Sequence, residues 1–306
     1  MTTNIAETVT RIFGTKGQAW LERLPQILAQ CAARWQLTLG EPVSHLSINY
    51  LAYATTRDGE AVVLKVGVPH RELETEIEAL QWYAGRGMVR CLDADLELGA
   101  MLLERLRPGR MLTSVGDNAR ETRIAAGIMR TLTVPCPPSH HLPTFAEWVE
   151  RAFVRLRRTY GPDAGPLGRR LVEQAETALA DIERGKVQDV LLHGDLHHEN
   201  ILFDDRHGWL AIDPKGVIGD ACLNVARFMH NQLPSTLSPV ETAQRLTERA
   251  AIFAEELHAT PQAILRATLL DKVLSLSWSL EEEGEIRDEV YEGIAEAQLL
   301  SELSEP

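Results

Sequence analysis

Apolar residues from position 17 to 35 recur as Ala19, Trp20, Leu24, Ile27, Leu28, Cys31 and Trp35, and only Pro25 interrupts them. That spacing predicts a helical N-terminal extension. Over residues 43–66 the period shortens. Leu46, Ile48, Tyr50 and Ala52 alternate with polar or smaller residues, Arg57-Asp58-Gly59-Glu60 reads as a turn, and Ala61-Val62-Val63-Leu64-Lys65-Val66 reads as a buried strand. A β-hairpin is predicted. Leu73, Ile77, Leu80 and Tyr83 return to helical spacing over residues 70–83, after Pro69 and before Gly85 and Gly87. Two short strands follow, at 88–94 and 100–106, around the turn Glu97-Leu98-Gly99.

Beyond Arg107-Pro108-Gly109 the pattern is mainly helical, with amphipathic stretches at 118–133, 144–160 and 167–185. The segment from Gly161 to Pro166 joins two stretches of the same character and reads as a loop, not a linker. A block of short apolar runs, Val190-Leu191-Leu192, Ile201-Leu202-Phe203 and Trp209-Leu210-Ala211-Ile212, precedes further helices at 220–231, 240–258, 261–280 and 285–303. No internal repeat is visible. The expected architecture is α+β with two lobes: residues 1–106, a small β-rich N-terminal lobe carrying a helical extension over 1–40, and residues 107–306, a larger helical lobe.

Composition narrows the partners. Of 306 residues, 44% are hydrophobic and 25% charged, the proportions of a globular protein with a substantial core. Asp plus Glu number 44 against 31 Lys plus Arg, and the resulting −13 argues against nucleic acid or an anionic membrane as partner. A cationic small molecule is the better electrostatic match. Residues 281–306 hold ten carboxylates and one base, Arg287, which reads either as a solvated helix face or as a wall that attracts cations. Cys31, Cys91, Cys136 and Cys222 form no C-x-x-C pair, so they are expected as reduced thiols. The first ten residues lack the charged and apolar regions of a signal peptide, and no stretch reaches the ~18 apolar residues of a membrane span, which suggests a cytoplasmic protein.

The chemistry concentrates in Leu191-Leu192-His193-Gly194-Asp195-Leu196-His197-His198-Glu199-Asn200-Ile201, followed by Ile212-Asp213-Pro214. Burying so many polar groups for structure alone is costly. Asp195 and Asn200, five apart in a loop, could bring a carboxylate to a nucleophile and an amide oxygen to a metal, with Asp213 as a second metal ligand. A rival reading takes His193, Asp195, His197 and His198 as zinc ligands of a hydrolase.

His193-x-Asp195-x-x-x-x-Asn200 with Asp213 resembles the catalytic and metal-binding loops of the protein-kinase-like phosphotransferases. More narrowly, the run from Leu192 to Ile201 with Ile212-Asp213-Pro214-Lys215-Gly216-Val217-Ile218-Gly219-Asp220 resembles the aminoglycoside 6-phosphotransferase and hydroxyurea phosphotransferase family, which includes streptomycin kinases. The resemblance implies a bilobal kinase-like fold with ATP between the lobes and Mg²⁺ on Asn200 and Asp213. It makes Asp195 the group that accepts the hydroxyl proton, His193 the support of its loop, and Lys65 the ligand of the α and β phosphates. Glu76 is the expected partner of Lys65, with Glu72 as competitor. The backbone at Glu104 and Leu106 would meet adenine. The phosphate-covering segment 47–53 contains no glycine, so Ser47 and Asn49 would donate from their side chains. Asn224 stands where related enzymes often carry Asp. Lys215 could reach the γ-phosphate or repel a cation.

By the same resemblance Asp220, His230, Asn231, Trp278, Glu281, Glu282 and Glu283 are candidates for the acceptor wall. The implied function is ATP-dependent phosphorylation of a hydroxyl on a streptomycin-like aminoglycoside, conferring resistance. The alternatives are a kinase of a sugar or polyol and a nucleotide-binding pseudokinase.

Overall fold

The computed structural model describes residues 5–43, 48–282 and 287–305. Its first helix, α1 (Ile5–Arg34), starts earlier than the apolar spacing indicates and breaks its helical dihedrals at Gly14, with φ 55° and ψ −133°. Pro25 lies within it without ending it. Five antiparallel strands follow, β1 (Thr38–Pro42), β2 (Tyr50–Thr55), β3 (Ala61–Val66), β4 (Cys91–Asp95) and β5 (Ala100–Glu104), in the order β1-β2-β3-β5-β4, with α2 (Arg71–Tyr83) between β3 and β4. The predicted hairpin is β2 and β3, but its first strand begins at Tyr50. Ile48 and Asn49 form a bend, and Leu46 and Ser47 lie outside the described residues.

Alternation along β3 sets the two faces of this sheet. Leu64 and Val66 pack with Val9, Trp20, Ile27 and Cys31 of α1. Val63 faces the opposite way, where Leu73, Ile77 and Leu80 of α2 meet Met101 and Leu103 of β5. Each such side chain contributes about 1.5–3 kcal/mol on full burial. Lys65 lies on the α2 side and is only 4% exposed.

The second lobe comprises β6 (Pro108–Met111), α3 (Asn118–Leu132), β7 (Val134–Pro135), α4 (Phe145–Tyr160), α5 (Arg169–Gly185), β8 (Val190–Leu192), β9 (Ile201–Asp204), β10 (Gly208–Ala211), β11 (Val217–Gly219), α6 (Ala226–His230), α7 (Pro239–Leu257), α8 (Pro261–Glu282) and α9 (Asp288–Ser304). Two small sheets, β10-β9-β6 and β11-β8-β7, carry the chemistry-bearing loops. α8 packs against α4, α5, α6, α7 and α9, and Ile264, Ala267, Leu270, Val273 and Leu274 are fully buried.

The predicted strand at 88–94 forms only from Cys91. Met88 instead bridges Ala211, and Val89 and Gly87 exchange backbone bonds of 2.8 and 2.9 Å with the same residue, which ties the lobes together. The predicted helix at 220–231 is a 3-10 turn over Ala221–Val225 followed by α6. Of the acidic C-terminal segment, α9 buries Val290, Ile294, Ala297 and Leu300 and exposes Asp288, Glu289, Glu292 and Glu302. Those four carboxylates lie on a solvated helix face. Among the described residues no helix is long and apolar enough to cross a membrane.

Candidate active site

Three segments distant in sequence converge between the lobes. Lys65 Nζ donates to Glu76 Oε1 at 2.6 Å and is paired with Asp213 Oδ1. Glu76 lies on the inner face of α2 at 6% exposure, whereas Glu72 is exposed and unavailable to Lys65. Burial raises Glu76 to about 7 against the pull of Lys65. Burial also disfavours the charged forms of Lys65 and Asp213, but their mutual attraction wins. Lys65 stays above its ordinary value, and Asp213, which also feels Lys215, stays well below the carboxylate range. Removing Lys65 leaves two carboxylates without their cation, a loss of about 3–5 kcal/mol.

The loop between β8 and β9 is pinned from several sides. The His193 backbone N–H donates to Asn224 Oδ1 at 2.9 Å, its Nε2 donates to the Ile212 carbonyl at 2.8 Å, and its Nδ1 accepts from the Asp195 amide at 3.2 Å. Burial holds this imidazole down at about 4, so it is neutral. Asn224 therefore braces the loop with its side-chain oxygen, the role an Asp would fill there.

Gly194 has φ 81°, and an added Cβ would lie 3.0 Å from Val217 and 3.1 Å from both Lys215 and Trp148. Only glycine fits this turn. Lys215 is clamped by its backbone, whose N–H donates to the His193 carbonyl and whose carbonyl accepts from Thr75 Oγ1, both at 2.7 Å.

Asp195 is largely buried, which raises it, while Arg227, His197 and Lys215 act in the opposite sense. Asn200 Nδ2 donates to the Asp195 carbonyl at 3.0 Å, and the Asn200 backbone is held by His197 and Ile212 at 3.0 and 2.9 Å. No described residue donates to Asn200 Oδ1. That oxygen and the second carboxylate oxygen of Asp213, which itself adopts φ 61°, are the sparse set of oxygen donors that these bonds leave over. Such a set suits Mg²⁺, which takes one or two protein oxygens and completes its shell with phosphates and water.

It does not suit zinc. His197 Nδ1 is bonded to Glu199 Oε2 at 2.6 Å, and His198 stacks on Phe228 at 3.9 Å with its Nδ1 2.7 Å from Asn231 Oδ1. Among the described residues no three His, Cys, Asp or Glu side chains could share a metal.

A model of the aminoglycoside/hydroxyurea antibiotic resistance kinases matches residues 34–284. The chain belongs to that family. Two curated relatives of this kinase are a streptomycin 6-kinase of Streptomyces griseus, 35% identical over 71% of this chain and 70% of that one, and a hydroxyurea phosphotransferase of Kitasatospora aureofaciens, 34% identical over 71% and 64%. A choline kinase structure from Streptococcus pneumoniae superposes with a TM-score of 0.63 at 16% identity, covering 92% of this chain and 98% of that one. The kinase thus has the expected protein-kinase-like α+β fold.

Elsewhere in the kinase, Glu104 Oε1 accepts from the Arg90 amide at 2.7 Å, and the Leu106 amide has no partner among the described residues. The Arg105 guanidinium lies over the Tyr53 ring at 3.7 Å. Asn49 packs its side-chain oxygen against Gly67.

Of the expected acceptor-wall residues, those described each engage partners of their own. Asp220 caps the turn after it, accepting from Cys222 N at 2.9 Å, and Asn231 supports His198. His230 is bonded to Asp271 at 2.7 Å, and Glu281 pairs with Arg155 at 2.9 Å. Trp278 meets Trp148 edge-on at 5.7 Å. Glu283 and the side chain of Glu282 lie outside the described residues.

Sequence reasoning missed Arg227, whose Nε is 3.4 Å from Asp195 Oδ1, and Trp148, which abuts Gly194. Asp271 was also missed, though a carboxylate inside the apolar run of α8 is a signal in itself.

Proposed function

We propose that this kinase transfers the γ-phosphoryl group of ATP to a hydroxyl of a streptomycin-like, cationic aminoglycoside and so confers resistance. The observation that carries the chemistry is Lys65 held by both Glu76 and Asp213 beside a loop that fixes Asp195 and Asn200. Lys65, oriented by Glu76, binds the α and β phosphates, and the Leu106 amide with the Glu104 carbonyl receives adenine. Asn200 Oδ1 and Asp213 would hold Mg²⁺, which would supply positive charge against the phosphates. Asp195 aligns the acceptor hydroxyl and takes its proton as the new O–P bond forms and the bond to ADP breaks. His193 and Asn224 keep that loop in register.

The net charge of −13 favours a cationic acceptor, and two relatives are named for streptomycin phosphorylation at the 6 position. The test is ADP release with Mg·ATP over a panel of streptomycin, other aminoglycosides, hydroxyurea, sugars and polyols. Turnover on streptomycin, lost in Asp195→Ala, is expected. Turnover confined to a neutral sugar or polyol would overturn the acceptor assignment and leave the phosphotransferase chemistry standing.

A further inference from the structure

The backbone of Asp195 is anchored by His193 and Asn200, but neither contact fixes the carboxylate. Arg227 Nε lies 3.4 Å from Oδ1 and His197 Nε2 lies 4.0 Å from Oδ2, while Lys215 acts on the carboxylate without a salt-bridge contact among the described residues. His197 is drawn away by Glu199. Arg227 is the group placed to orient the carboxylate.

Arg227 leaves α6 and is held from α8. Its Nη1 donates to Ser275 Oγ at 2.8 Å, and its Nη2 lies 3.4 Å from Asp271 Oδ1. Asp271 and Ser275, four apart, share one face of α8. Asp271 is 3% exposed, and although burial raises it, Arg227 and the bond from His230 keep it ionised below its usual value. Arg227 Nε is buried and has no hydrogen-bond partner; it stands 3.4 Å from Asp195 Oδ1 and 3.4 Å from Asp271 Oδ2. A buried donor left without an acceptor costs about 1–3 kcal/mol. A guanidinium serving only to join α6 to α8 would close that bond onto Asp271. Catalytic hydrogen bonds that are long in the free enzyme tighten once substrate is bound.

We propose that Arg227, anchored by Asp271 and Ser275, is the positioning residue of Asp195. In the acceptor complex its Nε closes onto Asp195 Oδ1 and leaves Oδ2 facing the acceptor hydroxyl. This rests on the reading of Asp195 as the proton acceptor.

A double-mutant cycle tests it: Arg227→Met, Asp195→Asn and the pair, with streptomycin turnover and acceptor-free ATP hydrolysis as rates and calorimetric ATP binding as the check on folding. Arg227→Met is expected to lower kcat about 10- to 100-fold with the Kd for ATP unchanged, and Arg227→Lys to recover part of it. In the Asp195→Asn background the same change should alter the residual rate less than about twofold, because a residue acting through Asp195 has nothing left to orient. Asp271→Asn should lower kcat by about 3- to 10-fold.

Equal losses from Arg227→Met in both backgrounds would overturn the proposal. If Arg227→Met fails to bind ATP, Asp271→Asn decides, and wild-type kcat there also overturns it. Wild-type kcat in Asp195→Asn alone would instead remove the proton-acceptor reading, and the proposal with it.

Discussion

The two charged clusters flanking the cleft are built differently. On the nucleotide side Lys65 joins Glu76 and Asp213 directly, across the lobes, at salt-bridge distance. On the acceptor side Asp195, Arg227 and Asp271 are spaced at 3.4 Å, with a buried N–H between two carboxylates. The first cluster is closed before any ligand arrives. The second is open, and on the proposed reading it closes when Asp195 is drawn toward Arg227. On the proposed reading, Lys65 binds phosphate and must be in place for every turnover, whereas Asp195 as proton acceptor needs its orientation only when a hydroxyl is present.

This contrast can be broken experimentally, starting where the effect is largest. Asp195→Ala should reduce kcat by roughly 10²–10⁴ while ATP binding persists. A matching loss of ATP affinity in calorimetry would show that the two clusters are one. Asp213→Asn should raise the Mg²⁺ concentration needed for half-maximal turnover and lower kcat/KM for ATP, with little effect on the acceptor KM. An unchanged Mg²⁺ titration would remove Asp213 from the metal site.

Gly194→Ala, which places a Cβ against Val217, Lys215 and Trp148 at φ 81°, should lower stability by about 1–3 kcal/mol and be visible as a fall in Tm. His193 supplies a pH signature of the framework beneath both clusters. Its pKa is about 4 in the fold against 6.5 in the open chain, so the unfolded state binds the extra proton between those values. The contribution of His193 to stability is therefore complete above pH 6.5 and is lost, by a few kcal/mol, as pH drops toward 4. Denaturant titrations of wild type and His193→Asn over that window should differ in slope. At the small end, Glu289→Gln with Glu292→Gln on the exposed face of α9 should leave the KM for streptomycin unchanged.

The motif residues were the more legible in sequence because they sit at fixed offsets within short segments: Lys65 lies near the end of an apolar run, Asn200 follows Asp195 by five, and Asp213 directly follows the apolar run Trp209-Leu210-Ala211-Ile212. The acceptor-side residues come from α6 and α8, where only packing decides which side chain meets which. Asp220 and Asn231 look like free polar groups in a sequence, yet one caps a turn and the other holds His198. Neither partner is visible in linear order.

The strands show the same limit. β1 escaped because it offers a single apolar core residue, Leu39, is otherwise exposed and includes Gly40 and Pro42, which suit a sheet edge. β6 was hidden under Arg107-Pro108-Gly109, which reads as a turn but pairs with β9. Long periodic helices such as α4 and α7 were visible because each has one buried face.

The most direct test is phosphorus NMR of streptomycin incubated with Mg·ATP and the enzyme. A new phosphomonoester resonance growing in step with ADP, and absent with Asp195→Ala, is the predicted result. Inorganic phosphate alone, or an identical phosphomonoester signal from Asp195→Ala, would contradict the account.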